Sequence, residues 1–126
     1  ELILNLQKDI FKIIKPGLAL KEIDNQFKIL VREKGYKKYI KHGITHNIGL
    51  DVHDVWSSDT LKPGMVITVE PGLYIPEDDK EIDEKYRGIA IRIEDDVLIT
   101  NIGCVVLSKN IPKEIDEIET YMRAKK

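Results

Sequence analysis

A chain of 126 residues, 42% hydrophobic and 33% charged, suffices for one globular unit with a real core and leaves no room for two ordinary domains. Its formal charge of -2 and pI near 6.0, with Lys interspersed among Glu and Asp, exclude the clustered basic face of a nucleic-acid-binding protein. The longest apolar runs, such as 65–69 and 88–91, are too short to span a bilayer and the start lacks a secretory pattern, so a cytoplasmic protein without membrane or nucleic-acid partners is expected.

Glu1 opens directly into helical periodicity without a cap, which suggests a piece of a longer product. Leu2, Ile3, Leu6, Ile10, Ile13 and Ile14 recur at helical spacing until Pro16-Gly17 stops them. A second helix follows, with Leu20, Ile23, Phe27, Leu30 and Val31 as its apolar stripe and Gly35 as terminator. From Tyr36 to Asp59 periodicity is lost and His, Gly, Asp and Asn accumulate, the composition of irregular segments that display functional groups. Pro63-Gly64 then marks a turn into a strand over 65–69, which ends on Glu70-Pro71-Gly72, and a short strand is expected over 73–75. Residues 76–86 read as a charged surface loop. Strands are predicted over 88–93, over 97–100 after an Asp95-Asp96 turn, and over 105–107 after a turn at 101–103. The end is helical from near Pro112, with Ile115, Ile118 and Met122 on one side. The lone cysteine, Cys104, has no partner for a disulfide and lies in an apolar run, so it reads as an inert core thiol. Two helices, an antiparallel set of strands and a final helix define an α+β layer structure.

All three histidines of the chain, His42, His46 and His53, fall in one short segment. Imidazole serves as a neutral ligand, acid or base near neutral pH, so this concentration points to metal binding or proton transfer. Glu70 and Glu94 each follow an apolar strand. Two carboxylates facing one cavity repel and are costly to bury, and a divalent cation resolves both costs. With His46 they make a one-nitrogen, two-carboxylate set suited to Mn, Co, Zn or Fe. Composition alone leaves a blander alternative open, in which Glu70 is a solvated strand end and Glu94 begins an acidic turn with Asp95 and Asp96.

Three ordered strings carry a family resemblance: His42-Gly-Ile-Thr-His46-Asn-Ile-Gly-Leu-Asp-Val-His53-Asp, Leu61-Lys-Pro-Gly-Met-Val-Ile-Thr-Val-Glu70-Pro-Gly-Leu-Tyr-Ile, and Gly88-Ile-Ala-Ile-Arg92-Ile-Glu94-Asp-Asp-Val. They resemble the signature blocks of aminopeptidase P and prolidase, the pita-bread metallopeptidases, and the likeness runs from about residue 10 to 121. The resemblance implies His46, Glu70 and Glu94 as metal ligands, with Glu70 also the acid/base and Glu94 bridging two ions. It implies His53 as a group that contacts substrate or stabilises the reaction's charge, His42 as part of the substrate pocket, and Arg92 as a supporting arginine of the proline-specific branch. The implied cofactor is a pair of divalent ions, Mn foremost with Co or Zn as alternatives, which activate water for attack on an Xaa-Pro bond. The implied substrate is a peptide with proline at its second position, and the implied parent is a homodimer. Prolidase action on Xaa-Pro dipeptides and a non-catalytic peptide- or protein-binding module are the alternatives.

The family's site also uses two aspartates for which nothing before His42 is a match, since Asp9 and Asp24 lie in the helical patterns. Residues 1–126 are therefore expected to be the C-terminal part of a metallopeptidase catalytic domain, binding metal poorly and inactive by themselves.

Overall fold

The computed structural model describes residues 1–55 and 58–124. The first helix, α1 (Leu2–Phe11), is shorter than its apolar stripe. After Phe11 the backbone tightens into three-residue turns, with Lys12 N–H bonding Asp9 O and Ile13 N–H bonding Ile10 O, while Ile14 still reaches the core. The Pro16-Gly17 and Pro63-Gly64 pairs both follow the type II pattern, with proline leading a glycine at φ +86° or +90° and the turn closed from Leu18 N–H to Lys15 O or Met65 N–H to Lys62 O. A Cβ at Gly17 would meet nothing within 4 Å, so the cost of Gly17→Ala is conformational alone. It is expected to lower unfolding free energy by about 1–2 kcal/mol in a urea titration.

The second helix, α2 (Leu20–Glu33), begins where Ala19 N–H donates to Glu22 Oε2 at 3.0 Å, an N-terminal donor satisfied by the third helical residue. Ile23, Phe27 and Val31 form its buried stripe and meet Ile3, Leu6 and Ile10 of α1 in one core cluster. Under these helices lie five strands: β1 (Val66–Val69), β2 (Gly72–Tyr74), β3 (Ala90–Arg92), β4 (Asp95–Ile99) and β5 (Cys104–Val106). They form an antiparallel three-stranded sheet ordered β1-β4-β5 and an antiparallel pair β2-β3. Ile67, Val69, Val97 and Ile99 belong to the same core as the helices, each fully buried aliphatic contributing about 1.5–3 kcal/mol.

The two sheets are parts of one long hairpin. Val69 pairs with Asp95 on one side of the break and Gly72 with Arg92 on the other. The register runs through unbroken and sets Glu70 opposite Glu94 and Pro71 opposite Ile93. Proline at 71 interrupts the ladder because it has no N–H to give, and the hairpin changes sheet there.

Two expectations are corrected. Asp95 and Asp96 make no turn; both lie in β4, and Asp95 is buried. The acidic-turn reading of Glu94 falls with it, since the chain passes from β3 to β4 with only Ile93 and Glu94 between. The segment after Tyr36 is also less irregular than its composition suggests. It holds a 3-10 turn (Lys37–Tyr39) and a stretch beside β1, where Glu70 N–H bonds Ile44 O, Thr68 N–H bonds His46 O and Ile48 N–H bonds Val66 O.

The last helix, α3 (Ile115–Ala124), starts three residues after Pro112 and buries none of its residues. Ile115, Ile118 and Met122, predicted to share one side, are all exposed. Cys104 is half-buried with Sγ 3.6 Å from Phe11 O, and burial pushes its thiol pKa up, in keeping with an unreactive thiol. No helix among the described residues is long and apolar enough to cross a membrane.

Candidate metal site

Side chains alternate along a strand, so with Ile67, Val69 and Val97 turned into the core, Glu70 and Glu94 emerge on the opposite face of the hairpin. Being opposite one another at the break, their side chains are near neighbours. The stretch beside β1 brings His46 to the same place, its N–H donating to Thr68 Oγ1 at 3.1 Å. Among the described residues, His46, Glu70 and Glu94 form a group whose ligand atoms all lie within 4.8 Å of one another. Glu70 is buried, His46 half-buried and Glu94 exposed, so only one of the two predicted carboxylates is out of water.

The orientation of His46 follows from its partners. Nδ1 lies 2.9 Å from Asn47 O, and a carbonyl only accepts, so Nδ1 carries the hydrogen. Nε2 then faces Glu70 Oε1, 3.2 Å away. Two lone pairs at that distance repel unless a proton or a cation lies between them. Fixing the distal imidazole nitrogen with a carbonyl is how proteins orient a metal-binding histidine, and a third ligand atom from Glu94 completes a donor set that fits a divalent transition metal.

Arg92 contacts both carboxylates, with Nη1 3.5 Å from Glu70 Oε2 and Nη2 3.3 Å from Glu94 Oε2. Its side chain is half exposed and these distances are long for charge-assisted bonds, so it offsets only part of the negative charge. His53 stands beside His46, ring centroids 4.2 Å apart and planes at 42°, and is exposed. His42 lies outside the three-residue group. Its Nδ1 is 2.6 Å from Gly43 O and its Nε2 2.8 Å from the Tyr74 hydroxyl.

Several residues that shape this site carry no signal in the sequence pattern. Asp24 of α2 accepts Ile44 N–H through Oδ1 at 2.8 Å and ties the histidine segment to the helix layer. Asn47 Nδ2 donates to Val55 O, Asp54 N–H bonds Asn47 O, and Asp54 Oδ2 accepts Leu50 N–H, closing the loop that carries His53. A Cβ at Gly49 would overlap Asp54 Oδ2, so the closed loop requires glycine there. Gln7, fully buried in α1, is a third such residue. Only an Asx-type residue at 47 or 54 hints at such a loop in advance.

The chain belongs to metallopeptidase family M24, whose profile matches residues 1–101. Within that family it is similar to Xaa-Pro aminopeptidases. It is 40% identical to Xaa-Pro aminopeptidase 3 of Homo sapiens over 94% of this chain and 27% of that protein, and 44% identical to the Xaa-Pro aminopeptidase of Escherichia coli K12 over 89% and 25%. The solved structure of zinc-substituted E. coli aminopeptidase P in complex with product superposes with a TM-score of 0.88, at 34% identity, over 99% of this chain and 33% of that one. The architecture is thus the corresponding part of the aminopeptidase P pita-bread fold, as the sequence blocks imply. The chain spans between a quarter and a third of the length of these relatives.

Proposed function

We propose that residues 1–126 are the C-terminal part of the catalytic domain of a metal-dependent Xaa-Pro aminopeptidase, with His46, Glu70 and Glu94 as metal ligands. The observation that carries this reading is the convergence of His46, Glu70 and Glu94, whose ligand atoms all lie within 4.8 Å of one another with His46 Nε2 3.2 Å from Glu70 Oε1, a donor set that a divalent cation would satisfy. When bound, two divalent ions, Mn foremost with Co or Zn as alternatives, would activate water and polarise the scissile carbonyl.

The residues of the chain divide the remaining work. His46 and the two glutamates would hold the cations, with two aspartates expected from elsewhere in the parent protein completing the set. Glu70, enclosed by the hairpin break, moves a proton to the leaving proline nitrogen. His53, exposed beside His46, donates to the oxygen on which negative charge develops. His42, held by Tyr74, lines the pocket for a peptide with proline at its second position. Arg92 keeps the two carboxylates together between turnovers. That the relatives are named Xaa-Pro aminopeptidases favours this activity over the prolidase alternative. The parent is proposed to act as a homodimer.

The test is hydrolysis by the full protein that carries this chain. Loaded with Mn, it is expected to release the first residue from Xaa-Pro-Yaa peptides and to leave Xaa-Ala-Yaa peptides intact, with activity lost to a chelator and restored by added metal. A preparation that binds Mn, Co or Zn yet cleaves no Xaa-Pro bond would overturn the proposal.

A further inference from the structure

Gln7 is fully buried in the middle of α1, on the same face as the core residues Ile3, Leu6 and Ile10. A polar side chain there is costly unless it is hydrogen-bonded. Its Nε2 donates to Val69 O at 3.0 Å and to Ile93 O at 3.2 Å. Val69 immediately precedes Glu70, and Ile93 immediately precedes Glu94.

The need for this amide traces to Pro71. In the hairpin register Pro71 faces Ile93, and one half of their reciprocal pair is made, Ile93 N–H to Pro71 O at 3.2 Å. The other half requires an N–H at residue 71, which proline lacks. Ile93 O would be an orphan at the point where both carboxylates leave the ladder, and Gln7 supplies the missing donor. The same nitrogen binds Val69 O across the hairpin. One carboxamide thereby holds together the two peptide groups that lead into Glu70 and Glu94, where the sheet itself contributes least. Gln7 Oε1 is buried with no partner among the described residues, a cost that an apolar residue at this helix position would avoid.

We propose that Gln7 is a positioning residue that sets the spacing of Glu70 and Glu94 from behind the sheet, through the backbone and without touching either carboxylate. The proposal rests on the metal reading of the site. It predicts that the Gln7 amide and the Pro71 ring are coupled, since an N–H restored at residue 71 takes over the bond to Ile93 O.

The experiment uses the full protein that carries this chain and measures its apparent Kd for Mn2+ by competition with a chelating dye, alongside its thermal midpoint. Gln7→Met keeps the length of the side chain and removes both donors. Ile23→Ala, in α2, is the control for a core lesion that contacts neither carbonyl. Gln7→Met is expected to weaken Mn2+ binding by about 10–100-fold, the usual effect of losing support for a metal ligand, and Ile23→Ala by less than about twofold. Adding Pro71→Ala to Gln7→Met is expected to recover a substantial part of the lost affinity. If Gln7→Met binds Mn2+ as Ile23→Ala does, or if the double variant recovers nothing, the clamp is wrong. Failure of the unsubstituted protein to bind Mn2+ overturns the metal reading together with it.

Discussion

Replacing Glu70 with glutamine in the full protein is expected to lower kcat on an Xaa-Pro peptide by about 10²–10⁴-fold, the range for loss of a positioned acid/base, and to raise stability in the absence of metal. Both effects come from one geometry. Glu70 Oε1 faces His46 Nε2 at 3.2 Å with Arg92 3.5 Å from the other oxygen. With His46 neutral, a glutamine amide of the same shape donates to Nε2 where the carboxylate has no hydrogen to give, a bond worth about 0.5–1.5 kcal/mol. The ionisable oxygen needed to move a proton is lost by the same change. His46→Ala and Glu94→Ala, which remove a ligand atom outright, are expected to lose activity chiefly through the metal, with less metal retained after dialysis. Full activity in any of the three variants would remove that residue from the site. Metal-free Glu70→Gln unfolding earlier than the metal-free parent would show that His46 is protonated at both nitrogens and needs no cation.

The parts of this molecule legible in its sequence are those where one residue type has one job. The stripes of α1 and α2, the two Pro-Gly turns and the apolar runs of β1 and β4 are local patterns, and each maps onto the element expected from it. The convergence of His46, Glu70 and Glu94 on one place is legible as well, because a histidine cluster and glutamates after apolar strands are unusual in a short chain. The misreadings share a cause. Asp95-Asp96 has the composition of a turn, and what makes Asp95 a buried strand residue is Lys113, eighteen positions downstream. Residues 44–48 look irregular because their role is to lend backbone groups to the edge of β1. Gln7 sits in an apolar stripe and acts on carbonyls, which carry no trace of side-chain identity. Nor does periodicity say whether a predicted apolar side finds a partner. The exposed faces of α3 and of β3, where Ile91 is 42% exposed, are the places where the fold departs most from a self-contained core.

Breaking the Asp95–Lys113 pair is expected to be the most destabilising single charge change in the chain. Asp95 opens β4 with its side chain fully enclosed, and Lys113 Nζ reaches its two oxygens at 2.6 and 2.7 Å while Ser108 Oγ donates to Oδ1 at 2.5 Å. Lys113 itself is only 19% exposed. Exposed pairs such as Lys12–Asp9 and Arg123–Glu119 contribute about 0–1 kcal/mol each, because water and mobile side chains cancel most of the attraction. Lys113→Met is different, since it strands a carboxylate in the protein with one hydroxyl as its remaining donor. The expected loss is about 3–5 kcal/mol, a large share of the roughly 5–15 kcal/mol that holds a domain folded. Changing both partners, Asp95→Leu with Lys113→Met, removes the stranded charge and is expected to return most of that loss. Urea unfolding of the two variants decides the matter, and a Lys113→Met cost below about 1 kcal/mol would mean that Asp95 is solvated after all. The pair also bears on the metal site. Asp95 follows Glu94 directly, so Lys113 anchors the start of β4 on one side of that glutamate while Gln7 holds Ile93 on the other, and the exposed carboxylate is fixed by its two neighbours in the chain rather than by burial of its own.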